Sequence, residues 1–155
     1  MIGILVVSYG KLAEALISSV QFLVGNLKRV KGISIWPNDR KEEVRDRIQK
    51  GIDEVDDGDG VVILTDIFGG TPTNLSLSVL EDKKVEVVTG VNMPMLLTLS
   101  SYRKGRSARE IGKLVKKSGR RSIILAKEVF GKKAWIKKDE HPAQRGMNRN
   151  VDKAC

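Results

Sequence analysis

Three short segments concentrate the side chains and backbone shapes able to hold an anion or exchange a proton: Ser8-Tyr9-Gly10, the run from Asp66 through Gly69-Gly70-Thr71-Pro72-Thr73-Asn74, and Thr89-Gly90-Val91-Asn92-Met93-Pro94. In the middle run, Gly69-Gly70 lets a ligand approach the backbone. Thr71 and Thr73 then open a helix with hydroxyls and unpaired N–H groups, which is an anion cradle by physics. A Gly-Gly pair before a helix is also simply a tight turn. Asp66 either orients a donor on the Ser8-Tyr9-Gly10 loop or caps the helix. The single histidine, His141, lies beside Pro142 in a basic stretch and reads as solvated, so a histidine mechanism has only one, badly placed, candidate. No metal-ligand spacing, phosphate-loop fingerprint or dinucleotide fingerprint is visible, and neither a metal nor a cofactor is expected.

Loops of this kind need a scaffold that brings them together. Residues 2–7 form a β-branched apolar run without polar alternation, as in a strand buried on both faces. Leu12, Leu16, Val20 and Leu23 then repeat at helical spacing up to Gly25-Asn26. A second strand is predicted over 30–36. Asp39 and Glu42 have the spacing of a capping box for a helix whose apolar stripe is Val44, Ile48, Ile52 and Val55. Strands over 60–65 and 85–89 enclose a helix over 73–80, helices follow over 93–102 and 107–117, and residues 123–126 read as a fifth strand at the sheet edge. Strands alternating with helices give an α/β fold with a mainly parallel sheet. Ligands in such sheets bind beyond the carboxyl ends of the strands, where the three loaded segments converge.

A length of 155 residues fits one domain, here residues 1–130, followed by a basic tail over 131–155. No apolar stretch is long enough to span a membrane, and residues 1–7 lack the basic flank of a signal peptide. One cysteine, Cys155, excludes an internal disulfide framework and suits a cytoplasmic setting. The net charge of +9 is uneven: residues 1–102 carry 11 basic and 14 acidic side chains, whereas 103–155 carry 17 and 5. A dense basic run from Arg103 to Arg121 admits nucleic acid or an anionic surface as partner. A solvated helix face is the simpler reading, and no specific nucleic-acid partner is expected.

Three segments, Gly3-Ile-Leu-Val-Val-Ser-Tyr-Gly-Lys-Leu-Ala-Glu-Ala-Leu16, Gly58-Asp-Gly-Val-Val-Ile-Leu-Thr-Asp-Ile-Phe-Gly-Gly-Thr-Pro-Thr-Asn74 and Val87-Val-Thr-Gly-Val-Asn-Met-Pro-Met-Leu-Leu97, in that order, resemble the mannose/fructose-family IIA component of the bacterial phosphoenolpyruvate-dependent sugar phosphotransferase system (PTS). The resemblance implies a cytoplasmic, dimeric domain that takes a phosphoryl group from the carrier HPr onto a histidine and passes it to a IIB component. It also implies an edge strand that pairs across the dimer. The family's acceptor histidine stands in a Ser-His-Gly context, and here that position is Tyr9. Asp66 matches the carboxylate that orients the histidine, Thr71 the hydroxyl of the Gly69-Gly70-Thr71-Pro72 loop, and Ser8 and Asn92 the flanking polar groups.

A phenol of pKa ~10 is mostly protonated at neutral pH and forms a far more stable phosphoester than the labile P–N bond of phosphohistidine. Tyr9 should therefore not relay, and a hydrogen bond from its O–H to Asp66 is the expected local arrangement. Three readings follow: a IIA-type domain that docks on HPr or IIB without relaying, a working transfer component that uses some other acceptor, and a basic binder of nucleic acid or anionic lipid. Leu75, Leu77, Leu80, Met93, Met95, Leu96 and Leu97 are read as core or dimer interface.

Overall fold

The computed structural model describes residues 1–80 and 84–129. Four strands, β1 (Gly3–Tyr9), β2 (Val30–Ile35), β3 (Val61–Thr65) and β4 (Val85–Thr89), form one sheet in the order β2-β1-β3-β4. Every pair is parallel, with Val7 opposite both Ile33 and Thr65, and Leu64 opposite Val88. Parallel neighbours require crossovers, supplied by helices α1 (Leu12–Val24), α2 (Lys41–Val55) and α3 (Thr71–Ser78). Two more helices, α4 (Met93–Tyr102) and α5 (Ala108–Arg121), follow β4.

Side chains alternate across a strand, so the unbroken apolar run of β1 feeds two cores. Ile4 and Val6 join Val62, Leu64, Met95, Leu96, Leu99, Ile111 and Val115 on the face covered by α1, α4 and α5. Leu5 and Val7 join Ile33, Ile35, Ile48 and Ile63 on the face covered by α2. Both faces are covered, which is why β1 and β3 show no polar alternation.

The expected elements are present with four differences. The predicted capping box of α2 does not form: the helix starts at Lys41, and the Asp39 carboxylate accepts the Trp36 N–H at 3.0 Å and pairs with Arg47 at 2.5 Å. A short acidic side chain next to a turn bonded the nearer backbone donor. Helix α3 begins two residues earlier than predicted, with Pro72 in its first turn, where a missing N–H costs nothing. Helix α5 runs on to Arg121 because Gly119 is a packing residue rather than a stop: a Cβ there would lie 2.8 Å from Met95 Cγ. The fifth strand is not found among the described residues, since 123–125 have no regular structure and 126–129 form a helical turn. A strand exists only with a ladder partner, and among the described residues β4 ends the sheet.

Met1–Ser122 forms one compact unit containing all nine elements. In the following unit Ile123, Ile124, Leu125 and Val129 are exposed. The basic tail, with His141 and Cys155, lies outside the described residues. Of the apolar residues read as core or interface, Met95 and Leu96 are buried, Leu75, Met93 and Leu97 are partly buried against the core, and Leu77 is exposed.

At the amino end of the strands a buried cation closes the fold. The guanidinium of Arg103, the residue following α4, donates to the carbonyls of Ile2 at 3.0 Å, Lys28 at 2.6 Å and Arg29 at 3.4 Å. Only 3% of Arg103 is exposed, and burial, reinforced by Arg29, pulls its pKa down from the usual arginine value. Its Nε has no partner among the described residues.

Candidate functional site

At the carboxyl end, β1 and β3 finish side by side, and their loops meet. Tyr9 is the last residue of β1, and its backbone N–H donates to Asp66 Oδ2 at 2.8 Å. The other oxygen, Oδ1, accepts the Ile67 N–H at 2.8 Å. The Asp66 carboxylate thus clasps the two loops through main-chain donors. The Tyr9 hydroxyl reaches instead to the start of α3, where its oxygen accepts the Thr71 N–H at 3.0 Å. The expected bond from the Tyr9 O–H to Asp66 is therefore replaced by two separate contacts. The reason is reach: the main-chain N–H of Tyr9 sits nearest the carboxylate, and its ring extends beyond it to the helix.

Gly69 and Gly70 make that reach possible. Gly69 has φ +80°, a left-handed turn that a side chain rarely adopts, and a Cβ on Gly70 would lie 2.9 Å from Ile67 Cγ2 and 3.5 Å from the Tyr9 ring. The ring lies against bare backbone. Below the loop, Thr73 Oγ1 donates to the Ile67 carbonyl at 2.7 Å, which leaves Thr65 Oγ1 as the donor in the buried 2.7 Å contact between the two hydroxyls. Asn74 Nδ2 completes the frame with a 3.1 Å bond to the Gly69 carbonyl. Thr65, Thr73 and Asn74 hold the loop's shape, although the sequence distinguished only their hydroxyl and amide character.

Two expected pocket residues do structural work. Ser8 is fully buried and its Oγ accepts the Ala13 N–H at 2.9 Å, satisfying a donor in the first turn of α1. Asn92 is the N-cap of α4: Oδ1 accepts the Met95 N–H at 3.2 Å, and Nδ2 donates to the Gly119 carbonyl at 3.4 Å. The β4 loop still joins the site end, because the Val91 N–H bonds the Thr65 carbonyl at 2.9 Å. Tyr9, Asp66, Gly69, Gly70 and Thr71 thus come together, with Ser8 and Asn92 supporting them.

The surface at this end is apolar as well as polar. Tyr9 is 45% exposed, and Leu12, Trp36, Ile67 and Phe68 are exposed too, Phe68 at 77%. A Cβ on Gly10 would touch the Trp36 ring, which places that side chain next to the β1 loop. Among the described residues no group of His, Cys, Asp and Glu side chains is arranged to hold a metal. What the geometry offers is a half-exposed hydroxyl at the start of a helix, its oxygen accepting the Thr71 N–H.

Residues 3–116 match the family model described as the PTS system fructose IIA component. The chain is 31% identical over 128 residues to the PTS system mannose-specific EIIAB component of Escherichia coli K12, an alignment covering 81% of this chain and 40% of that protein. It therefore spans about 40% of the length of that longer relative. Its identity to the PTS system fructose-specific EIIA component of Bacillus subtilis is 24% over 133 residues, covering 85% of this chain and 91% of the other. Among solved structures, the PTS IIA protein associated with the fucose utilization operon of Streptococcus pneumoniae superposes with a TM-score of 0.72 at 32% identity, covering 83% of this chain and 96% of that one. The phosphotransferase system component EIIA of Streptococcus agalactiae gives a TM-score of 0.73 at 28% identity, covering 80% and 96%. With the four-stranded parallel sheet and the loops at its carboxyl end, these matches establish that the chain belongs to the mannose/fructose-type IIA family of the sugar phosphotransferase system.

Proposed function

We propose that this chain occupies the place of the IIA phosphocarrier between HPr and a IIB component, in the cytoplasm and as a homodimer, with the relay impaired at its acceptor position. The observation that carries this reading is the Tyr9 side chain, which stands where the family's histidine is expected and holds its oxygen on the Thr71 N–H at 3.0 Å. Attack on phospho-HPr needs a lone pair on a good nucleophile at neutral pH. A neutral phenol is a poor one, and a phosphotyrosine would not pass its group on readily. The rest of the loop suits that role: Asp66 clasps β1, and Gly69, Gly70 and Thr71 present backbone at the carboxyl end of the sheet.

The test is intact mass after incubation with phosphoenolpyruvate, enzyme I and HPr. The chain as written is expected to gain nothing and the Tyr9→His variant one phosphoryl group. Phosphorylation of the unchanged chain would overturn the reading, and so would a histidine variant that stays unmodified.

A non-relaying docking role draws on a second observation, the exposed Trp36, Ile67 and Phe68 around Tyr9, since apolar side chains gathered beside a polar centre suit a protein interface. Capture of HPr or IIB by the unphosphorylated chain supports that role, and failure to bind either removes it. For the dimer, the support is β4, an edge strand among the described residues, and the exposed run Ile123, Ile124 and Leu125, which has no strand partner among them. Light scattering of the full chain is expected to give twice the monomer mass.

A further inference from the structure

Helix α5 carries Arg109, Lys113, Lys116, Lys117, Arg120 and Arg121, all exposed. At 100° per residue, Arg109, Lys113, Lys116 and Arg120 fall within an arc of about 60°, and a rise of 1.5 Å per residue spreads them over about 17 Å. Lys117 and Arg121 continue the array on one flank. The opposite side of the helix is buried through Ile111, Gly112, Val115 and Gly119. Gly112 and Gly119 hold it close: a Cβ on either would come within 2.8 Å of Glu86 on β4 or Met95 on α4.

An ordinary solvated helix face mixes its charges, and α2 does so, with Glu43 and Arg47, Asp46 and Lys50, and Lys50 and Glu54 four residues apart. Helix α5 sets like charges at that spacing four times: 109 with 113, 113 with 117, 116 with 120, and 117 with 121. Among the described residues none of the six cations has a carboxylate partner, the ion pairs there using Met1, Arg29, Lys31, Arg40 and Arg47. Glu110, the one acid on α5, is taken by its capping box with Ser107. Arg109 lies in the first turn, where the helix dipole disfavours a cation. The like-charge pairs work against the isolated helix, offset in part by Glu110 near Lys113 and by the dipole at Arg120 and Arg121, and an anionic partner relieves them.

We propose that this ridge is a docking surface for an anionic bilayer. Its cations face one way, so a flat surface meets them together, whereas a helix entering a duplex groove has phosphates on both sides. Helix α5 also carries no Asn, Gln or aromatic residue, so adenine readout and base stacking have no side chain there. The helix runs toward the carboxyl end of the sheet, where the Gly119 carbonyl meets Asn92. A bilayer lying along α5 therefore leaves the Tyr9 and Thr71 loops at its side, open to a soluble partner.

The experiment is co-sedimentation of the full chain with vesicles of phosphatidylcholine alone or mixed with phosphatidylglycerol, at low and high salt. The expected result is binding only to the mixed vesicles, weakened steeply by salt. The combined variant Lys113→Gln, Lys116→Gln, Arg120→Gln should lower partitioning about a hundredfold, from roughly fivefold per cation. Its melting temperature should match or exceed the parent's, because like charges are removed. A control carrying Lys132→Gln, Lys133→Gln, Lys137→Gln and Lys138→Gln, in the basic tail, should retain most of the binding. Absence of phosphatidylglycerol-dependent binding, a ridge variant that binds like the parent, a loss carried by the tail control, or tighter binding to duplex DNA than to the mixed vesicles would each overturn the proposal.

Discussion

The two ends of the sheet use polar groups in opposite ways. At the amino end the Arg103 guanidinium is buried and spends its donors inward, on three carbonyls from the chain entering β1 and β2. At the carboxyl end the Asp66 carboxylate accepts the Tyr9 and Ile67 N–H groups and the Tyr9 hydroxyl accepts the Thr71 N–H, all near solvent. Water can replace any of these last contacts, whereas Arg103 is 3% exposed and its bond to the Ile2 carbonyl is buried. The amino end therefore fixes stability, and the carboxyl end is left free to vary, which is how the end of β1 can hold a half-exposed tyrosine without disturbing the fold.

The sharpest break of this contrast is Arg103→Met. The stem can be kept and the head lost, leaving the Ile2 and Lys28 carbonyls without this donor, whereas the Arg29 carbonyl keeps the Ile4 N–H at 2.9 Å. Each unsatisfied buried acceptor costs ~1–3 kcal/mol, although relaxation and water entry recover part of it, so about 3 kcal/mol is expected in urea unfolding. A loss below about 1 kcal/mol would mean that the buried head contributes little beyond its own desolvation. Tyr9→Phe removes one acceptor at the other end, and because Tyr9 is 45% exposed the Thr71 N–H turns to water. That change should stay within about 0.5 kcal/mol.

Thr73→Val tests whether the carboxyl end has any rigid layer. It deletes both the bond to the Ile67 carbonyl and the acceptor of the buried Thr65 hydroxyl. With one buried hydroxyl orphaned, about 2 kcal/mol should be lost. Amide exchange should quicken at Ile67 through Thr71 but not in β2. Uniform quickening across the sheet would show that the loop is not an independent unit.

What was legible in the sequence follows the same division. Elements set by apolar period and strong stops were read closely: β4 and α4 fall on their predicted residues, and β1, α1 and β3 within about two. The fifth strand failed because a strand needs a partner that local sequence does not name. The capping box predicted at Asp39 was satisfied elsewhere, at Ser107 with Glu110, where both of its bonds form. At the site, the identities of Tyr9, Asp66 and Thr71 were plain, but which atom meets which was not. The ring's reach to α3 depends on Gly70 having no side chain and on the register that brings β1 and β3 level. Ser8 and Asn92 were read as pocket groups because a polar side chain beside a loop looks the same whether it faces a crevice or caps a helix.

The smallest expected effect concerns acid, and it separates the helices rather than the ends. Hydrogen bonds from the Ser107 backbone and side chain hold the Glu110 carboxyl below its ordinary value, and the Trp36 N–H, with Arg47, does the same for Asp39. A carboxyl with a lower pKa when folded than when unfolded leaves the unfolded chain binding more protons on acidification. Its stabilisation is present above the unfolded value, about 4 for these groups, and is lost as the pH falls through the folded one. The melting temperature should therefore drop on moving from neutral pH to below about 4, and Glu110→Gln should make that drop shallower. The Gln side chain can still close the box at neutral pH, so a shallower acid slope together with a preserved neutral melting temperature assigns the effect to charge. A Glu110→Gln slope identical to the parent's would place the acid sensitivity on other carboxylates, Asp39 first among them.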